Sequence, residues 1–224
     1  MINKENYKRV LSKAIEHKAN LVAVSKTKPK EAIQVLYDMG QRIFGENKVQ
    51  EMVDKQEALP KDIEWHLIGT LQRNKVKYIV EFVSLIHSVD SFKLLKEINK
   101  QAKKVNRVVD CLLQFHIADE ETKFGLSYEE GVGILKNDVY KEMEHIRIVG
   151  VMGMATFTED KEQVGREFET LQGYFKTLQQ DFFTDNESFK EVSMGMSGDY
   201  EIALDKGSTL VRVGSLLFGA RVYK

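Results

Sequence analysis

At 224 residues the chain is long enough for one substantial core, and 33 basic against 34 acidic side chains leave a formal net charge of −1, so no global field recruits nucleic acid or an anionic membrane surface. The single cysteine, Cys111, excludes an internal disulfide and fits a reducing compartment; no apolar run approaches a membrane span, and the N-terminus lacks the apolar core of a signal peptide. These features predict a soluble, cytoplasmic protein with no nucleic-acid or membrane partner.

Short apolar runs alternate with amphipathic stretches from end to end, the pattern of repeated βα units building a parallel sheet. An extra helix over 4–17 precedes the first predicted strand, 21–25. Helix 31–39 leads to strand 42–44, helix 47–58 to strand 63–68, helix 71–82 to strand 84–87, and helix 92–105 to strand 108–115. Helix 128–139 leads to strand 146–152, helix 161–180 to strand 190–193, and a short helix, 200–206, to the eighth strand, 209–213. Ser127 and Glu130 have capping-box spacing, and Gly40 and Gly207 fall where a left-handed C-terminal residue is wanted. Pro29 and Pro60 are the only prolines, and no linker or low-complexity tract divides the chain, so residues 1–224 are read as a single domain.

Eight such strands also suit an open doubly wound sheet. The polar and small residues favour closure: Lys26, Asn47, Thr70, Ser88, His116, Gly153, Ser197 and Gly214 lie at or beyond the ends of successive strands. A closed barrel gathers them around one mouth, whereas an open sheet spreads them along an edge. The predicted fold is therefore α/β, a single (β/α)8 barrel with an additional N-terminal helix.

Lys26 closes the apolar strand LVAVSK. Partial desolvation at the barrel mouth would lower its amine pKa and make a neutral nucleophile available to an aldehyde. A lone lysine at a strand end would simply snorkel, and Lys28 competes, but Lys26 directly continues the strand whereas Lys28 precedes Pro29. In SMGMSGDYEIALDKG, Ser197-Gly198 is read as opening a helix whose N-terminus and small residues admit an anion. Alone, this is an ordinary capped helix. In TLVRVGSLLFGARVY, Gly214-Ser215 follows strand eight, and the loops after strands seven and eight are the habitual phosphate site of this fold.

Arg212 sits between Val211 and Val213 in an apolar strand and cannot be buried there without a partner. That partner is either an acidic residue of a neighbouring strand or a ligand. For a pyridine ring spanning from Lys26 to the phosphate loops, Arg212 would meet the ring nitrogen; as a permanent donor it would leave that nitrogen largely unprotonated and weaken carbanion stabilisation. Asn47 offers an amide to the same ligand, or caps the following helix. His66 either packs beside the same ring or is a hydrogen-bonded histidine within the barrel, the preferred reading and that of His87 and His116; none has zinc-ligand spacing, and Met152, Met154, Met194 and Met196 are read as packing.

Together AVSKTK, FGENKVQE, WHLIGTLQRNK, SMGMSGDYEIAL and GSTLVRVGSLLFG closely resemble the YggS/PROSC family of pyridoxal phosphate (PLP) homeostasis proteins. The resemblance runs from near Leu21 to Tyr223, essentially the whole chain, and the family is similar in fold to the N-terminal barrel of bacterial alanine racemase. It implies that Lys26 bears pyridoxal 5'-phosphate as a Schiff base, that Arg212 faces the pyridine nitrogen, and that Ser197, Gly198, Gly214 and Ser215 lie at the phosphate. Asn47 is assigned to the cofactor with them.

The function implied is a carrier of PLP in vitamin B6 and amino-acid homeostasis, without established turnover. Its implied partners are PLP, other B6 vitamers and PLP-dependent apo-enzymes, and a monomer or weak dimer is expected. Alanine racemase closes its site with a further β-domain and a partner tyrosine, for which the few residues after Phe218 leave no room, and no second base besides Lys26 stands out. A low-activity amino-acid racemase and a cofactor-free Schiff-base aldolase are the competing readings.

Overall fold

The computed structural model describes residues 2–119 and 124–219. Eight parallel strands follow one another around a closed barrel: β1 (Asn20–Val24), β2 (Ile43–Glu46), β3 (Glu64–Leu67), β4 (Leu85–Val89), β5 (Val109–Gln114), β6 (Ile146–Met152), β7 (Glu191–Ser193) and β8 (Leu210–Val213). Closure comes from β1 and β8, paired in parallel from Asn20↔Leu210 to Ala23↔Val213. The open-sheet alternative is thereby excluded, since it would leave the first and last edges unpaired.

Strand alternation divides the interior into two cores. On β1, Leu21 and Ala23 face outward into a large core shared with the helices, which also holds Phe44, Trp65 and Phe168. Val22 points inward and packs with Leu85, Leu112, Val149, Met152 and Leu210 in a separate cluster inside the barrel. Because both faces are covered, the strands read as nearly continuous apolar runs rather than alternating ones.

The helical layer comprises α1 (Lys4–Glu16), α2 (Lys30–Asp38), α3 (Val49–Ala58), α4 (Phe92–Lys104), α5 (Tyr128–Lys136), α6 (Asp138–Lys141), α7 (Lys161–Phe182), α8 (Tyr200–Asp205) and α9 (Ser215–Phe218). On α4, Leu94, Leu95, Ile98 and Ala102 form the buried stripe, and the Ser91 side chain caps the N-terminus by accepting from the Leu94 amide. The predicted capping box is formed: the Ser127 hydroxyl accepts from the Glu130 amide, and the Glu130 carboxylate accepts from the Ser127 amide. Gly40 and Gly207 have φ of 100° and 87°, as expected for helix ends. The additional helix α1 reaches the far end of the chain, where Asn3 N–H donates to the Leu217 carbonyl at 2.8 Å and the Asn6 amide to that of Leu216 at 3.1 Å.

Two predicted helices are corrected. Over 71–82 only a short 3-10 helix forms, Arg73–Tyr78, followed by turns. The buried Val76, Ile79, Val80 and Val83 have helical spacing, but β-branched residues resist regular helix and bury through successive turns instead. The predicted helix 128–139 breaks at Asn137, whose extended backbone ends α5 while its side chain accepts from the Val139 amide to start α6.

Candidate functional site

At the C-terminal mouth of the barrel lies a cavity of about 590 Å³. Lys26, Asn47, Ser197, Gly198, Arg212, Gly214 and Ser215, the residues assigned to the cofactor in the sequence, line it together, whereas Thr70, Ser88, His116 and Gly153, expected at the same mouth, do not line it. They come from the segments after β1, β2, β7 and β8 and from the body of β8 itself, so only closure of the sheet brings them to one place.

Lys26 follows β1 in a short loop that is tied down on both sides. Buried Lys55 on α3 donates to the Ser25 carbonyl at 2.8 Å, to Glu46 Oε1 at 2.7 Å and to Glu51 Oε1 at 2.7 Å. Glu51 Oε1 also accepts from the Thr27 amide at 2.6 Å, and Thr27 has a φ of 63°. The residues before and after Lys26 thus hang from one ion-pair cluster, which holds a left-handed conformation that a threonine rarely adopts. Lys28 also faces the cavity, but its ammonium donates to the carbonyls of Phe218 and Gly219, each at 3.1 Å.

Asn47 is not the helix cap offered as its alternative role. Helix α3 begins at Val49 after Lys48, and Asn47 lines the cavity. Its backbone is pressed against Gly69 after β3, where a Cβ would lie 2.5 Å from the Asn47 carbonyl oxygen, so glycine is required by close approach.

The phosphate loops need a second correction. Ser197-Gly198 does not open a helix: α8 starts only at Tyr200 and is six residues long, and α9, which begins at Ser215, has four. Helices this short supply little macrodipole. What remains is a cradle of small residues, with the Ser197 hydroxyl accepting from the Gly214 amide at 3.2 Å and open space where a Gly198 Cβ would be.

Arg212 is 4% exposed, and among the described residues no carboxylate forms an ion pair with it. Instead it donates to Ser193 Oγ at 2.6 Å and to the Gly153 carbonyl at 3.0 Å, leaving donor capacity toward the cavity. Of the two partners the sequence allowed, the acidic strand neighbour is therefore absent among the described residues. Burial pulls the guanidinium down to about 10, opposed by the charge of Asp199, which also lines the cavity. Asp199 is itself raised, first by burial.

Behind Arg212 the polar chain continues. Ser193 Oγ lies 2.8 Å from His87 Nδ1, and His87 Nε2 lies 2.9 Å from His66 Nδ1. His66 opens onto a different cavity, of about 420 Å³, at the N-terminal end of the barrel. Both histidines are buried, and neither lines the mouth cavity. Met152 and Met194 are buried as packing, whereas Met154 and Met196 border the cavity. Among the described residues no group of three histidine, cysteine or acidic side chains is arranged to hold a metal ion, and no helix is long and apolar enough to cross a membrane.

Sequence reasoning missed Glu46, Lys55 and the roles of Ser193 and Asp199. For the first two a signal existed: Glu46 is an acid directly following the strand residues 43–45, and Glu51 and Lys55 have the i,i+4 spacing of a helical ion pair. Ser193 carried none, because a strand-end serine looks the same whether or not a guanidinium lies beside it.

The alanine racemase N-terminal domain family matches residues 3–222. A pyridoxal phosphate homeostasis protein of Aquifex aeolicus is 41% identical over 209 residues, covering 93% of this chain and 90% of that protein. Its namesake in Escherichia coli is 37% identical over 210 residues, covering 91% and 86%. PipY of Synechococcus elongatus, solved with PLP bound, superposes with a TM-score of 0.81 at 32% identity, over 94% of this chain and 100% of that one. An alanine racemase of Bartonella henselae shares the fold at a TM-score of 0.69 and 16% identity, this chain spanning 57% of its length. By sequence and by its closed barrel, this chain belongs to the family of pyridoxal phosphate homeostasis proteins, built on the alanine racemase N-terminal domain.

Proposed function

We propose that this protein is an intracellular carrier of pyridoxal 5'-phosphate, one domain throughout, which holds the cofactor on Lys26 and serves vitamin B6 and amino-acid homeostasis without turnover of its own. The observation that carries this reading is the convergence of Lys26, one buried arginine and two small-residue loops on a single cavity of about 590 Å³. That size suits a small phosphorylated ring. The donor set fits as well: an amine for the aldehyde, a permanent donor for a ring nitrogen, and hydroxyls and backbone N–H groups for a phosphate.

When bound, PLP supplies an aldehyde that condenses reversibly with an amine and a pyridine ring that can delocalise charge. In this reading Lys26 provides the amine, and the Lys55 cluster holds its loop in place. Ser197, Gly198, Gly214 and Ser215 would hold the phosphate, and Asn47 would border the ring. Arg212 would donate to the pyridine nitrogen without protonating it, which would weaken the ring as an electron sink. Lys28, engaged by the carbonyls of Phe218 and Gly219, is held in a separate role from Lys26. Other B6 vitamers and PLP-requiring apo-enzymes are the corresponding ligands and recipients.

Borohydride reduction of the PLP-treated protein, followed by peptide mass spectrometry, tests the assignment. A phosphopyridoxyl label on Lys26, lost in Lys26→Ala and retained in Lys28→Ala, is expected. A label elsewhere, or none after saturation, overturns it. Deuterium exchange at the α-carbon of alanine, measured against free PLP and followed by chiral analysis, tests the absence of turnover; exchange above that background with formation of the opposite enantiomer would make the protein a racemase.

A further inference from the structure

Four buried polar side chains, Arg212, Ser193, His87 and His66, run in hydrogen-bond contact from the mouth cavity through the barrel interior. Their hydrogens have little choice. Arg212 can only donate, so Ser193 Oγ accepts from it at 2.6 Å. The Ser193 hydroxyl proton then points to the remaining neighbour, His87 Nδ1, at 2.8 Å. An imidazole that accepts at Nδ1 and is neutral carries its proton on Nε2, and that proton is donated to His66 Nδ1 at 2.9 Å. By the same rule His66 carries its proton on Nε2, at the end of the chain that opens to the second cavity.

We propose that Ser193, His87 and His66 are positioning residues, a one-way relay of donors that locks the Arg212 guanidinium in the orientation from which it meets a ligand in the mouth cavity. This rests on the assignment of Arg212 to the PLP ring nitrogen. A protonated His87 would present a hydrogen to the Ser193 hydroxyl and a positive charge to Arg212, so the relay requires both imidazoles to stay neutral. The surroundings enforce this: burial pushes His66 down to about 3, and His87 is lowered by burial first and then by the charges of His66 and Arg212. Glu64, Asp110, Arg147, Lys190 and Glu191 are the charged groups lining the cavity that His66 faces, with Arg147 and Asp110 paired at 2.7 Å. At the other end of the chain the charge of Asp199 acts on Arg212, and Lys26 and Lys28 line the same cavity. A serine bridge suits the task because its hydroxyl both accepts from the guanidinium and donates onward, whereas an ionised carboxylate only accepts.

Nitrogen-15 spectra of histidine-labelled protein, recorded without PLP, decide the hydrogen assignment. Both imidazoles are expected to remain neutral with the proton on Nε2 from pH 5.5 to 8.5; protonation within that range, or the Nδ1–H form at either ring, overturns the relay. In Ser193→Ala, with PLP added, the expected result is roughly tenfold weaker binding and a displaced visible absorbance band, with the borohydride label still on Lys26. Ser193→Thr, which restores the hydroxyl, is expected to bring the band back. Unchanged affinity and absorbance in Ser193→Ala would show that the relay does not position Arg212. Because the imidazole spectra need no cofactor, a protein that failed to take up PLP would refute the functional reading while the relay was judged on its own.

Discussion

The Arg212 guanidinium donates to the Ser193 hydroxyl at 2.6 Å across the junction of β7 and β8, so a cation buried at the base of the cavity is held by a neutral oxygen. With Gly153 O at 3.0 Å, the fork spans one acceptor on β7 and one just beyond the end of β6. Burial of the charge is tolerated because part of the guanidinium is bonded to these two acceptors and its remaining donor capacity faces the cavity.

Arg212→Lys is therefore expected to be a damaging exchange, since a single ammonium cannot reproduce the planar fork to both acceptors. Urea denaturation should report a loss of about 2 kcal/mol, the cost of leaving buried groups that had bonded to a cation unsatisfied. Arg212→Glu replaces the ring-nitrogen donor by a group that stabilises a protonated ring. The PLP-loaded variant should show a shifted visible spectrum; an unchanged one would contradict the contact.

Glu46 produces a pH dependence of stability. Burial drives its carboxyl up to about 7 from 4.5, against the lowering effects of the Lys55 charge and of hydrogen bonds from Lys55 and Ser25, and its Oε2 is buried without a partner. A carboxyl whose folded pKa exceeds its unfolded value binds its proton more tightly when folded, so its contribution is fully present below 4.5 and is lost as pH rises through 7. Thermal or urea unfolding between pH 4.5 and 8 should show wild type losing stability relative to Glu46→Gln, by on the order of 3 kcal/mol. A difference between the two proteins that did not vary with pH would refute this titration.

Gly69→Ala tests the close approach beneath Asn47. The new Cβ would stand 2.5 Å from the Asn47 carbonyl oxygen and 2.8 Å from its Cα, and backbone cannot yield as a side-chain tip can. A loss of about 1–3 kcal/mol is expected, with weaker PLP binding as Asn47 is displaced. Gly133→Ala on α5 is the control, because nothing lies within 4 Å of its added methyl and helix propensity favours alanine by about 1 kcal/mol. PLP titration of the two variants should separate them; equal affinities would remove Asn47 from the site.

Much of the architecture was legible because its causes are local. Strand runs such as Leu21 to Val24 are apolar on both faces, Ser127 and Glu130 cap a helix through bonds three residues apart, and Gly40 and Gly207 end helices with φ values that favour glycine. The cavity residues were also legible, since a barrel places whatever follows its strands at one mouth. The errors fell where local preferences compete: β-branched residues at 76, 79, 80 and 83 kept helical spacing without a regular helix, and Asn137 closed one helix by starting another.

By itself, then, the sequence determined the repeating βα order, the candidate lysine and the small-residue loops, because each depends on neighbours within a few residues along the chain. Only the tertiary structure decided what Arg212 leans on, that Lys55 and Glu46 meet beside Lys26, and that two histidines extend the arginine's contacts through the barrel. Those pairings join residues up to 106 positions apart. The physical reason is that a serine or histidine has the same covalent structure whether it faces solvent or a buried guanidinium, and its hydrogen-bond direction is set only when a partner is brought within 3 Å.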